Sequence, residues 1–171
     1  MRNEHSRRSI ILIGMPGSGK STLGVLLAKK NGLDFLDTDL VIQVKEGISL
    51  QELLDQRGYL ALREIEEQVL LATDCHHSVI ATGGSAVYSA KGMAHLKSCG
   101  PVIYLAVPID VLKKRIDDYE TRGIACQPGQ SFESLFEERQ KLYQEYADII
   151  ISVDKQMSPS EVVVKIQKAI K

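Results

Sequence analysis

Three observations predict an α/β fold with a parallel sheet covered on both faces. Short apolar runs alternate along the chain with stretches of helical periodicity. The runs are continuously apolar, as expected of strands buried on both sides. A glycine-rich segment joins the first run to the first helical stretch, where parallel sheets hold anions. The length of 171 residues fits a single domain with one core, taken as residues 1–171 with no linker or repeat.

Strands are predicted at Ile10–Ile13, Phe35-Leu36, Val79–Ala81, Val102–Leu105 and Ile149–Ser152. The first helix opens near Lys20, carries Leu23, Leu26 and Leu27 on one face, and ends after Lys29-Lys30 at Gly32. Ser49-Leu50-Gln51-Glu52 is a capping box: the serine oxygen takes a free N–H and the glutamate reaches back. Pro108 opens a helix after the fourth strand. Ser158-Pro159-Ser160-Glu161 repeats the capping box, with proline where a missing N–H does no harm. The stretch 117–131 has no clear periodicity and contains Gly123, Pro128 and Gly129; it reads as a mobile loop of the kind that closes over a bound ligand.

Hydrophobic residues make up 44% and charged residues 25%, with a net charge of -1. This balance argues against a nucleic-acid or membrane partner, since both call for concentrated positive charge. A small molecule bound by a few placed groups is the expected partner, and a monomeric cytoplasmic protein the expected state. Cys75, Cys99 and Cys126 are odd in number and lack C-x-x-C spacing, so free thiols are expected, with neither a disulfide nor a zinc site. His76-His77 reads as solvated loop.

Gly14-Met15-Pro16-Gly17-Ser18-Gly19-Lys20-Ser21 satisfies G-x-x-x-x-G-K-[ST]. Its glycines let N–H groups turn inward around phosphate oxygens, and the following helix points its positive end at the same place. Lys20 supplies a full charge for the β- and γ-phosphates, and the Ser21 hydroxyl suits Mg²⁺. The second strand ends in Asp37-Thr38-Asp39, a carboxylate pair able to divide metal support from proton acceptance. A helix-capping pair is the plainer alternative. The third strand ends in Thr82-Gly83-Gly84-Ser85, where glycines let a ligand approach the backbone, although a plain turn would read the same.

Arg139 falls on an apolar stripe with Phe132, Phe136, Tyr143 and Tyr146, so it needs a substrate carboxylate, an internal ion pair, or a path to the rim. Arg63 lies beside the stripe Leu62, Ile65, Val69, Ala72, with Glu66 and Glu67 at salt-bridge spacing on the same helix. Arg115 and Arg122 flank the loop, poised for phosphate or adenine on closure or simply solvated.

In order, GMPGSGKST at Gly14–Thr22, FLDTD at Phe35–Asp39, the Arg63-x-Ile-Glu-Glu helix, ATGG at Ala81–Gly84, and Arg139 with Leu142-Tyr143 resemble the shikimate kinase family. The resemblance runs from Ile10 to about Ile166. It implies a three-layer P-loop fold of nucleoside monophosphate kinase type: a five-stranded parallel sheet, a lid at about 117–131, and a substrate-binding helical region at about 39–72. It further implies ATP-dependent transfer to the 3-hydroxyl of shikimate. ATP would lie on Gly14, Gly17, Ser18, Gly19, Lys20, Ser21, Thr22, Arg115 and Arg122, with Mg²⁺ on Ser21 and Asp37. Shikimate would lie on Asp39, Arg63, Gly83, Gly84 and Arg139, with Lys20, Asp39 and Arg122 catalytic. Three departures fall around the acceptor and the lid: Ser85 stands where a third glycine is usual, Arg122-Gly123-Ile124-Ala125 where Arg-Pro-Leu-Leu is usual, and Gly58-Tyr59 and Leu62-Arg63 where Gly-Glu and Phe-Arg are usual. A kinase for another hydroxy acid or polyol, or a nucleotide-binding regulatory module, are the competing readings.

Overall fold

A computed structural model describes residues 8–116 and 122–171. Five strands form one sheet: β1 (Ile10–Ile13), β2 (Asp34–Asp37), β3 (Ser78–Ala81), β4 (Val102–Ala106) and β5 (Ile149–Ser152). Their spatial order is β2-β3-β1-β4-β5 and every pairing is parallel. β1 and β3 are buried along their whole length, which explains the apolar runs Ile10–Ile13 and Val79–Ala81.

Among the described residues seven α-helices connect and cover the strands: α1 (Lys20–Asn31), α2 (Thr38–Glu46), α3 (Leu50–Ala72), α4 (Ala90–Cys99), α5 (Ile109–Arg115), α6 (Phe132–Tyr146) and α7 (Pro159–Ala169). The β1–α1–β2 and β3–α4–β4 crossovers run in opposite directions across the sheet. Sharing one right hand, they put α1 and α4 on opposite faces. α1 packs with α7, and α3 with α4. The strand order reverses beside β1, and a crevice opens there beyond the strands' carboxyl ends.

The local signals act as their chemistry requires. Both capping boxes form, at Ser49–Glu52 and Ser158–Glu161, and Gly32 closes α1 with φ 65°. Within α3, Gly58 adopts φ 81° and ψ 171°, so the helix breaks there into two arms. A small satellite core of Ile42, Leu53, Leu62, Val69 and Ala125 lies under α2 and α3. No helix among the described residues is long and apolar enough to cross a membrane.

Of the loop expected at 117–131, residues 117–121 lie outside the described residues, as does the basic start of the chain. Residues 122–131 carry neither helix nor strand.

One expectation is corrected. Cys75 and Cys99 are joined in a disulfide, with Cα atoms 5.1 Å apart across a sequence separation of 24. Spacing along the chain hid this, because β3 and β4 both flank β1. Residues just upstream of those two strands therefore meet at the sheet's amino edge. There the Ser9 N–H donates to the Cys99 carbonyl, and the Ser9 hydroxyl accepts from Ser78 N–H.

Candidate active site

The phosphate loop leaves β1 at Gly14 and enters α1 at Lys20. Lys20 is buried, and its ammonium donates to the carbonyls of Gly14 at 2.7 Å and Met15 at 2.9 Å. Burial lowers its pKa to about 8, with Asp39 pulling the other way. Ser18 is buried inside the loop, and Gly19, at φ 93°, caps α1 without a side chain of its own.

Asp37 ends β2 and divides its two oxygens. One accepts the backbone N–H groups of Asp39 at 3.0 Å and Leu40 at 3.3 Å, capping α2. The other accepts the Ser21 hydroxyl at 2.6 Å. The capping role is present, and the same carboxylate also links α2 to the phosphate loop. Asp39, two residues on, faces the crevice in the first turn of α2. Burial raises its pKa to about 6, while Lys20 partly offsets the rise.

β3 delivers Thr82, Gly83 and Gly84 into the same crevice. Gly83 donates its N–H to the Thr38 hydroxyl at 3.1 Å. A Cβ on Gly83 would stand 2.5 Å from both Asp39 Oδ1 and Glu66 Oε1. One on Gly84 would stand 2.7 Å from Arg139 Nη1 and 2.8 Å from Pro16 Cδ. The strand end is thus threaded between carboxylates on one side and a guanidinium on the other, and any side chain there would have to displace those groups. The Gly84 carbonyl accepts the Tyr143 hydroxyl at 2.6 Å.

Arg139 is 1% exposed and donates to the Ala125 carbonyl at 2.7 Å. Arg63 reaches the same carbonyl at 3.4 Å and lies 3.6 Å from the centre of the Tyr88 ring. The Nε atoms of both arginines are buried without a hydrogen-bond partner. Among the described residues neither forms a salt bridge. The helix-surface pairing that the spacing of Arg63 allows does not form among the described residues. Its spacing partners face elsewhere: Glu66 accepts the Ser85 hydroxyl, and Glu67 accepts the Ser89 hydroxyl at 2.5 Å.

A cavity of about 320 Å³ unites these parts. Gly17, Gly19, Lys20, Ser21 and Thr22 line one end; Asp39, Glu66, Gly84, Ser85 and Arg139 line the other. Arg115 and Arg122 border it, and Arg115 donates to the Gly17 carbonyl at 3.2 Å. Gly14, Ser18, Asp37, Arg63 and Gly83 do not line it, though each contacts a residue that does.

Sequence reasoning did not single out three participants. Glu66 is 2% exposed, leaves Oε1 without a partner, and has its pKa raised to about 7, chiefly by burial and next by Asp39. Tyr88 sits in a short turn (Ala86–Tyr88) after β3, under the Arg63 guanidinium. Tyr143 pins the glycine strand end. Only Tyr143 had a usable signal, its place on the Arg139 stripe.

A phosphate loop beside a carboxylate and two arginines whose Nε atoms are buried without partners, on a five-stranded parallel sheet, defines an ATP-dependent small-molecule kinase of the P-loop class. Comparison with known proteins narrows this. The family profile described as "Shikimate kinase" matches residues 16–171. A shikimate kinase of Sulfurihydrogenibium sp. is 34% identical over 165 residues, covering 96% of this chain and 98% of that one. The crystal structure of shikimate kinase from Aquifex aeolicus superposes with a TM-score of 0.79 at 34% identity, covering 95% of each chain. The shikimate kinase from Acinetobacter baumannii in complex with shikimate superposes with a TM-score of 0.85 at 30% identity, covering 95% of this chain and 92% of that one. The chain belongs to the shikimate kinase family.

Proposed function

We propose that the protein transfers the γ-phosphoryl group of ATP to the 3-hydroxyl of shikimate, giving shikimate 3-phosphate and ADP. The observation that carries this reading is the pair of buried arginines, Arg63 and Arg139. Their Nε atoms lack partners, and Arg139 lies one strand residue from Asp39, against Gly84 where Asp39 lies against Gly83. A guanidinium left unpaired in the interior is costly, and a substrate carboxylate satisfies it with a bidentate pair. An acceptor with a carboxylate at one end and hydroxyls at the other spans that interval.

In this reading the Gly14–Thr22 loop, with Arg115 and Arg122, holds the phosphates. Arg63, Arg139 and the backbone of Gly83 and Gly84 hold the acceptor carboxylate. Asp39 orients the 3-hydroxyl and takes its proton as the new O–P bond forms. A pKa of about 6 suits that task near neutrality: the carboxylate is mostly ionised yet basic enough to share a proton. Lys20 and Arg122 balance charge on the transferring group. The hard oxygens of Ser21 and Asp37, 2.6 Å apart beside the loop, fit Mg²⁺, which when bound would neutralise phosphate charge. Residues 39–72 serve as the acceptor-binding region and 117–131 as the lid, within one domain that works as a monomer.

The test is ADP release from MgATP with and without shikimate, in the wild type and Asp39→Asn. Shikimate-dependent turnover that collapses in the variant is expected. Binding of ATP without shikimate-dependent turnover would overturn the acceptor assignment.

A further inference from the structure

The Cys75–Cys99 disulfide accounts for two sulfurs but not for the imidazole aimed at them. His95 and Cys99 are four residues apart on α4 and so share one face. Cys75 comes from the loop between α3 and β3. His95 Nε2 lies 3.6 Å from Cys75 Sγ, and the Cys75, Cys99 and His95 donor atoms all fall within 4.8 Å of one another. The cluster is half-buried at the amino edge of the sheet, opposite the phosphate loop. Two thiolates and an imidazole at such separations form a soft donor set of the kind that selects Zn²⁺ over hard cations.

We propose that Cys75, Cys99 and His95 form a reduction-dependent Zn²⁺ site, in which the disulfide and the bound metal are alternative states of one cluster. A phosphine reductant breaks the S–S bond; phosphorus is oxidised to the phosphine oxide with oxygen from water, and two thiols form. Zn²⁺ then displaces one proton from each thiol to solvent. The Nε2–H that donates to the Thr73 carbonyl at 2.9 Å moves to Nδ1, which frees Nε2 to ligate. Water takes the fourth position, bordered by the Thr73 carbonyl. The cation would tie the end of α3 to the end of α4, as the disulfide does in the oxidised chain.

The experiment titrates Zn²⁺ against a chromophoric chelator with phosphine-reduced protein, alongside anaerobic Co²⁺ absorption. Reduced wild type is expected to bind one equivalent and to give tetrahedral Co²⁺ bands with thiolate charge transfer; oxidised protein is expected to bind none. Cys75→Ser and His95→Gln should each weaken binding by more than the roughly 10–100-fold that loss of an outer-shell partner causes. Cys126→Ser should bind as the wild type does. Cys99 is buried and its replacement risks misfolding, so the two half-exposed positions carry the test, with kinase turnover as the check of fold. Failure of reduced protein to bind Zn²⁺ would overturn the proposal, as would binding unchanged in both Cys75→Ser and His95→Gln.

Discussion

The two ends of the cavity are built on opposite plans. The nucleotide end is largely backbone, and its one buried charge is already provided for: Lys20 rests on two loop carbonyls. The acceptor end is made of side chains, and three of their buried polar atoms, Arg63 Nε, Arg139 Nε and Glu66 Oε1, have no partner. One end folds into its working shape unaided. The other holds unmet hydrogen-bonding capacity, at a price in stability, and a ligand is what meets it. In the proposed reading generality and selectivity are thereby separated in space: the backbone cradle would hold the triphosphate tail, and the side-chain end would choose the acceptor.

The sharpest way to break this contrast is at Asp39. Asp39→Asn should lower kcat by roughly 10²–10⁴, the usual reach of a general base, while MgATP affinity stays near the wild-type value. A loss of ATP binding of similar size would mean that the two ends are not separable. Arg139→Ala should raise the acceptor KM by about 10–100-fold, as expected for loss of a charged hydrogen-bonding partner. Arg139→Lys should recover little of this, because an ammonium lacks the planar fork. Steady-state kinetics with each substrate varied in turn separates these outcomes.

A smaller effect concerns stability. The folded-state pKa of Asp39 is raised from 3.8 to about 6, so the native state holds that proton more tightly than the unfolded chain does. The resulting stabilisation is fully present below 3.8 and is lost as pH rises through about 6. At neutral pH the ionised, half-buried carboxylate therefore burdens the fold, and Asp39→Asn should raise the melting temperature of the ligand-free protein. The gain should be on the order of 1 kcal/mol after allowance for partial exposure, and should shrink as the medium is acidified. Glu66→Gln should show the same sign over a window reaching about 7. Thermal melts across pH decide it; a gap that widens in acid would reverse the assignment.

The smallest effect is expected at Ser85. Its hydroxyl donates to one carboxylate oxygen of Glu66. Ser85→Gly should change the acceptor KM by less than about tenfold while shifting the pH at which it changes, since that hydrogen bond favours ionised Glu66.

The nucleotide end was readable from sequence because its chemistry is local. Nine consecutive residues, Gly14–Thr22, spell out the cradle, and the alternation of apolar runs with helical stretches placed it on a strand end. Asp39 and Arg139 were reachable by the same logic, one from spacing after a strand and the other from a charge on an apolar stripe. Glu66 was not. On α3 it looks like a surface partner for Arg63, and only the approach of the β3 strand end buries it. Tyr88 under Arg63 and the union of Cys75 with Cys99 are likewise products of strand order, which brings together residues that no local pattern connects.

Asp37 has one further consequence. Because one carboxylate oxygen caps α2 while the other holds Ser21 at the start of α1, the donor and acceptor halves share a single rigid joint two residues from Asp39. The span from the phosphate loop to Asp39 is then set by one hydrogen bond and the few covalent bonds between Asp37 and Asp39. Asp37→Glu would keep the charge and add one methylene to that ruler. The enzyme's reach, more than its electrostatics, is what such a change would miscalibrate.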